Sequence, residues 1–161
     1  MTDPNARPAA TADLYDEHGE ELQSLSLQFQ DLGGRQAFSG PVRTVRCRED
    51  NGLVKSVLNS AGNAAVLVVD GGGLLTTALM GDMIAAAAVE HGWAGVVVHG
   101  AVRDREALAG LPLGVKALGT NPRKSAKAGA GEVDAVLRID GVVIRPGAML
   151  YADRDGILVG Y

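Results

Sequence analysis

The sequence predicts an α/β fold, with a central parallel β-α-β-α-β unit and an antiparallel, β-rich C-terminal part. Three observations predict it. AAVLVVD (64–70) and AGVVVHG (94–100) are continuous apolar runs, as in strands buried on both faces, with a helix-forming stretch between them. A short helical segment, DREALAGL, and a third strand, GVKALGT (114–120), continue the alternation, which calls for right-handed crossovers. Beyond Gly131, short β-rich pieces are punctuated by Asp140-Gly141, Pro146-Gly147 and Asp155-Gly156, the turn signals of a meander.

Taken in order, residues 1–10 hold two prolines and small residues and read as a frayed lead-in, leaving 11–161 as one domain. TADLYDEHGEEL, from Thr11, suggests a short capped helix. After turns at Gly33-Gly34 and Gly40-Pro41, residues 42–47 are β-rich with mixed polarity on both faces. Asp50 is placed to cap a helix in which Leu53, Val54, Val57 and Leu58 recur at helical spacing, closed by Gly62. Following the 64–70 strand and Gly71-Gly72-Gly73, a helix is expected to run to about His91, its Ala85–Ala88 run forming a close-packing surface.

Composition narrows the classes of function. A chain of 161 residues is expected to bury roughly 70% of its unfolded surface. Its 47% hydrophobic content includes only 4% aromatics, so there is no stacking platform for nucleic-acid bases. The net charge of −4 gives no field to attract a polyanion, and direct nucleic-acid binding is disfavoured. Cys47, the single cysteine, excludes an intramolecular disulfide and a multi-cysteine metal site, and reads as a small buried hydrophobe. With no apolar leader and no run of ~18–20 apolar residues, a cytoplasmic protein without membrane spans is expected.

Candidate site residues gather after the two apolar strands. Asp70-Gly71-Gly72-Gly73 lacks the G-x-G-x-x-G spacing of a dinucleotide loop and reads as a tight turn. Gly81-Asp82-Met83-Ile84 reads as a fresh helix start. Asp82 would cap it, and the amides of Met83 and Ile84 would be free to receive a carboxylate or phosphate. Arg103-Asp104 would ordinarily be a solvated pair or the cap of the next helix. Its position matters more: it follows the carboxyl end of one buried strand as 71–84 follow another, and neighbouring strands would bring both to one crevice. A cation, two carboxylates and free amides there suit a small anion with a hard divalent metal. His91 falls at a helix end and His99 at a strand end, both fitting structural roles, while Arg123, Lys124 and Lys127 form a basic loop able to help hold an anion.

VVDGGG (68–73), the run 78–104, LGVKALGTNPRKSAKAGAGEVD (113–134) and LYADRDGILV (150–159) together resemble the RraA family. It groups regulators of ribonuclease activity with metal-dependent 4-hydroxy-4-methyl-2-oxoglutarate aldolases. Its members have also been described as menaquinone methyltransferases, for which the glycine turn gives no support. The resemblance implies a swivelling-type β/β/α domain in a ring-shaped homotrimer, with trimers able to pair, and sites at subunit boundaries. It assigns Asp104 as the ligand of a divalent cation, Mg²⁺ or Mn²⁺, and Arg103 as the substrate-binding arginine. Asp82 is assigned to orient water at the metal, and Gly81, Asp82, Met83 and Ile84 to receive the oxygens of an α-keto acid.

The implied activity is cleavage of 4-hydroxy-4-methyl-2-oxoglutarate to two pyruvates, with oxaloacetate decarboxylation as the easier side reaction. The alternative is a protein-binding inhibitor of ribonuclease E-type enzymes. Two departures bear on the choice. Aldolases of the family carry a C-terminal extension that supplies a glutamate to the neighbouring site, whereas this chain stops at Tyr161. Ala148 stands where the family has Asp after Pro-Gly, a change expected to alter a turn more than the chemistry.

Overall fold

The computed structural model describes residues 9–161, so the expected lead-in lies, through residue 8, outside the described residues. In chain order the elements are α1 (Thr11–His18), β1 (Leu22–Leu25), β2 (Gln30–Asp31), β3 (Phe38–Arg46), α2 (Gly52–Leu58), β4 (Val66–Asp70), α3 (Asp82–Glu90) and β5 (Gly95–Val102). Then follow α4 (Arg105–Ala109), β6 (Gly114–Thr120), β7 (Glu132–Val133), β8 (Leu137–Ile139), β9 (Val142–Ile144), β10 (Met149–Asp153) and β11 (Gly156–Gly160). Most of the strands form one sheet in the order β1-β11-β10-β3-β4-β5-β6-β2, with β7 on β3 and β8-β9 as a separate hairpin.

The predicted parallel unit and antiparallel tail meet on β3. Its first part, Phe38 to Pro41, pairs antiparallel with β10, and its second, Val42 to Arg46, pairs parallel with β4. Exposed Pro41, which has no N–H to donate, stands at that change of partner. From β3 through β6 all neighbours are parallel.

Continuous apolar runs arise because both faces of this part are covered. Leu67 and Val69 of β4 pack with Val54 and Leu58 of α2 and Ala85 and Ala88 of α3. Val66 and Val68 face the opposite way, into Leu137, Ile139 and Ile144 of the hairpin. Phe38 fills the space left at Gly114, where a Cβ would lie 2.1 Å from its ring. Burying a side chain of this kind contributes roughly 1.5–3 kcal/mol.

Several local expectations need correction. The helix expected from the glycine turn to His91 spans only Asp82–Glu90, because the end of β5 and the loop after β6 take the backbone before Gly81 as hydrogen-bond partners. α1 begins at Thr11 as expected, but its cap comes from another element. Asp153 of β10 accepts the Thr11 N–H at 2.8 Å and its hydroxyl at 2.7 Å. The edge strands β1 and β2 come from 22–31, where alternation in LQSLSLQFQD was the available signal.

Cys47 continues the β3 backbone, its N–H donating to Asp70 O, and is buried as expected. Burial, then the charges of Asp50 and Asp70, push its thiol up to about 11, so it is an inert packing group. No helix among the described residues is long and apolar enough to cross a membrane.

Candidate active site

Because β4 and β5 are parallel neighbours, the segments leaving their carboxyl ends share a crevice. The glycine turn after β4 closes on itself. Gly71 and Gly73 donate to His99 O, and Gly72 donates to Asp70 Oδ1 at 2.9 Å, leaving no amide of the three to cradle a phosphate. The chain then runs extended alongside β5. Leu79 N–H donates to Ala101 O at 2.8 Å, Arg103 N–H to Met80 O at 2.9 Å, and Ala78 N–H to Arg123 O at 2.8 Å. Residues 78–80 are thereby wedged between the end of β5 and the basic loop, and Gly81 is delivered to Arg103-Asp104.

Both aspartates behave differently from simple caps. Gly81 occupies the N-cap of α3, and exposed Asp82 is the first helical residue, with no side-chain capping bond. Asp104 takes that part from a distance: its Oδ2 accepts the Asp82 N–H at 2.9 Å. The residue is left-handed at φ +66 and begins α4 without capping it, so its carboxylate is committed to α3. A Cβ at Gly81 would lie 2.7 Å from the same oxygen, so the approach requires glycine. The amides of Met83 and Ile84 precede the first bond of the helix, from Ala85 to Gly81, and keep the positive end of the dipole at the crevice.

Arg103 lies across this turn, with Nη1 donating to Pro122 O at 3.3 Å and Nε 4.0 Å from Asp104 Oδ2. A cleft of about 240 Å³ brings together all the predicted site residues, Gly81, Asp82, Met83, Ile84, Arg103 and Asp104. It is smaller than the ~300–1,000 Å³ sites of drug-sized ligands. Asn51, Lys55 and Asn59, spaced by four from the N-cap of α2 through the helix to its C-cap, also line the cleft; they were not singled out from the sequence, and helical spacing could have found them. Lys124 and Lys127 of the basic loop also line it.

Asn51 rather than Asp50 occupies the N-cap of α2, and the helix closes at Asn59 rather than Gly62; Asp50, one residue earlier, serves a different purpose. Its buried carboxylate accepts the N–H groups of Gly52 (2.9 Å), Gly129 (3.0 Å), Ala128 (3.1 Å) and Ala130 (3.3 Å), tying the basic loop to the helix. The Gly52 amide foremost, with the three loop amides, outweighs burial and holds this carboxyl below its usual value. A depressed carboxyl stabilises the native state above the unfolded pKa, near ~3.9, and loses that contribution as pH falls through the lower folded value. Asp50→Ala is expected to speed amide exchange at 128–130 by at least an order of magnitude at neutral pH while strand amides stay protected; unchanged loop exchange would contradict the clamp.

The histidines are structural, as expected. His99 Nδ1 lies 3.1 Å from Asp70 Oδ1 and accounts foremost for that carboxyl's lowered pKa, while His91 Nδ1 is 2.8 Å from Ala87 O. No group of three His, Cys, Asp or Glu among the described residues forms a metal cage. The donors present suit a different kind of ion. Asp104 has one carboxylate oxygen without a protein partner among the described residues, and Asp82 lines the same cleft. One or two carboxylates with water completing the sphere fit Mg²⁺ or Mn²⁺, whereas zinc favours fuller nitrogen or sulfur ligation.

The start of α3, Arg103 and two carboxylates gather in one cleft at adjacent parallel strand ends of this mixed α/β protein. The chain belongs to the RraA-like family, whose model, described as Aldolase/RraA, matches residues 11–159. It is similar to the RNA-processing inhibitor RraA from Thermus thermophilus at 52% identity and TM-score 0.92, over 95% of this chain and 93% of that one. A Geobacillus kaustophilus protein described as an S-adenosylmethionine:2-dimethylmenaquinone methyltransferase is 48% identical, with TM-score 0.93 over 94% of both chains. Streptomyces coelicolor RraAS2, described as an unusual member of the RNase ES inhibitor RraA family, is 30% identical with TM-score 0.73, over 92% of this chain and 76% of that one. The closed glycine turn gives methyl-donor binding no support.

Proposed function

We propose that this protein is a divalent-metal-dependent carbon–carbon lyase. It cleaves 4-hydroxy-4-methyl-2-oxoglutarate to two pyruvates and decarboxylates oxaloacetate. The observation that carries the reading is the convergence of Asp104, Arg103 and the start of α3 on one small cleft. Asp104, with Asp82 nearby, would hold the cation, which when bound supplies Lewis-acid polarisation of an α-keto acid. The Met83 and Ile84 amides receive the substrate carboxylate at the positive end of the helix. Arg103 places its charge beside the keto oxygen, which gains negative charge as the carbon–carbon bond breaks.

Aldol cleavage also requires removal of the hydroxyl proton. Asp82, a carboxylate lining the cleft, would hold the water that takes it. Oxaloacetate loses carbon dioxide without that step. A ring-shaped homotrimer with the cleft at a subunit boundary accompanies this reading, supported by Met83 at the cleft, 83% exposed in the single chain.

Pyruvate release from both substrates, followed by a coupled assay with Mg²⁺ or Mn²⁺ and with chelator, is the test. Metal-dependent turnover is expected, and none with either metal would overturn the lyase reading. The inhibitor descriptions of the Thermus and Streptomyces relatives favour a second reading, a regulator that binds an RNase E-type enzyme. Co-purification of such a ribonuclease from the native host, retained in Asp104→Ala, would support that role independently of chemistry.

A further inference from the structure

We propose that the lysine-bearing side of the cleft is a second anion subsite, and that Lys124 selects α-keto acids carrying a distal carboxylate over those with one carboxylate. The inference rests on the keto-acid reading and deepens it. Four cations, Lys55, Lys124, Lys127 and Arg103, line the cleft against two carboxylates, Asp82 and Asp104. This occurs in a chain of net charge −4, so the cleft is a local reversal of the protein's field. None of the three lysines has a carboxylate within ion-pair distance among the described residues, and Asp104 is already engaged with the Asp82 amide. The first carboxylate and the keto oxygen of a substrate account for Arg103 and the start of α3, leaving the lysines without a counter-charge.

Asn51 is a second, independent sign of a ligand on that side. It lines the cleft, is 7% exposed, and its buried Oδ1 has no hydrogen-bond partner among the described residues. Such an acceptor is paired when a donor arrives, whether a substrate hydroxyl or an ammonium drawn inward by a bound carboxylate. The frame beneath the lysines is already ordered. Ala78 bridges to Lys124, Asn51 N–H donates to Ala126 O at 2.9 Å, and Asp50 clamps 128–130. Binding therefore orders only lysine side chains, not a loop. Lys124 is the member whose backbone is tied to the extended segment leading into Gly81, which fixes its position relative to the start of α3.

The test titrates the Mg²⁺-loaded protein calorimetrically with 2-oxoglutarate and 2-oxopentanoate, five-carbon keto acids that differ by the distal carboxylate. The dicarboxylate is expected to bind about tenfold more tightly at low ionic strength, an advantage that shrinks with added salt. Lys124→Met should remove most of that preference by weakening 2-oxoglutarate alone, and Lys124→Arg should keep it. Equal affinities in the unaltered protein, or equal weakening of both ligands by Lys124→Met, would overturn the subsite. Binding of neither ligand while Mg²⁺ binds would overturn the keto-acid reading and the subsite with it.

Discussion

Arg103→Ala is expected to lower metal-dependent pyruvate release by about 10²–10³-fold in kcat, the usual loss when a donor aimed at developing negative charge is removed. Both substrates should suffer alike, because carbon–carbon cleavage and decarboxylation place charge on the same oxygen. The fold should survive: the Arg103 side chain is 41% exposed, and its hydrogen bond is a long one to Pro122 O. Arg103→Lys restores the charge without the planar fork and should recover only part of the rate. Asp82→Asn provides the internal contrast, since only the aldol substrate needs its hydroxyl proton removed; cleavage should fall more than oxaloacetate decarboxylation. Pyruvate release unchanged by Arg103→Ala, with unfolding temperature also unchanged, would remove Arg103 from the chemistry.

Asp31→Ala is expected to destabilise the fold strongly, through a charge buried between β2 and β6. Lys116 of β6 is 2% exposed and meets Asp31 of β2 at 2.8 Å, the two standing opposite each other in the antiparallel register. Asp31 Oδ1 has this ion pair and no well-aligned hydrogen bond among the described residues, so the contact is essentially charge on charge. Removing the carboxylate leaves a buried ammonium uncompensated, at a cost of about 3–5 kcal/mol. For a chain of this length that is a fall in Tm on the order of 10 °C. Replacing both members together, Asp31→Leu with Lys116→Met, should recover most of the loss because no charge is stranded. Thermal unfolding of the three proteins checks this, and an Asp31→Ala Tm within a degree or two of the parent would show that the pair carries no such weight.

The contrast between these two sites shows where sequence was informative. Val66 to Val69 and Val96 to Val98 read as doubly buried strands because both of their faces had to be apolar, and both are strands. The turns at Asp140-Gly141 and Asp155-Gly156 were legible because left-handed backbone selects a short list of residues. Lys116 sits inside the predicted strand 114–120, yet nothing nearby in sequence signals that Asp31, 85 residues earlier, neutralises it. Asp50 likewise read as the start of a helix, whereas three of its four amide partners lie 78 to 80 residues downstream.

The sequence by itself determined which groups could form a site. Asp82, Arg103 and Asp104 follow two apolar strands, and the family pattern around them is continuous. Tertiary structure decided how those groups are used. The parallel pairing of β4 with β5 brings Asp104 to cap α3 instead of its own helix and turns Asp82 from a cap into an exposed carboxylate, with the basic loop lining the same cleft. The physical reason is range: helical and strand periodicity act over a few residues, while hydrogen bonds and charges act between atoms a few ångströms apart, however much chain separates them.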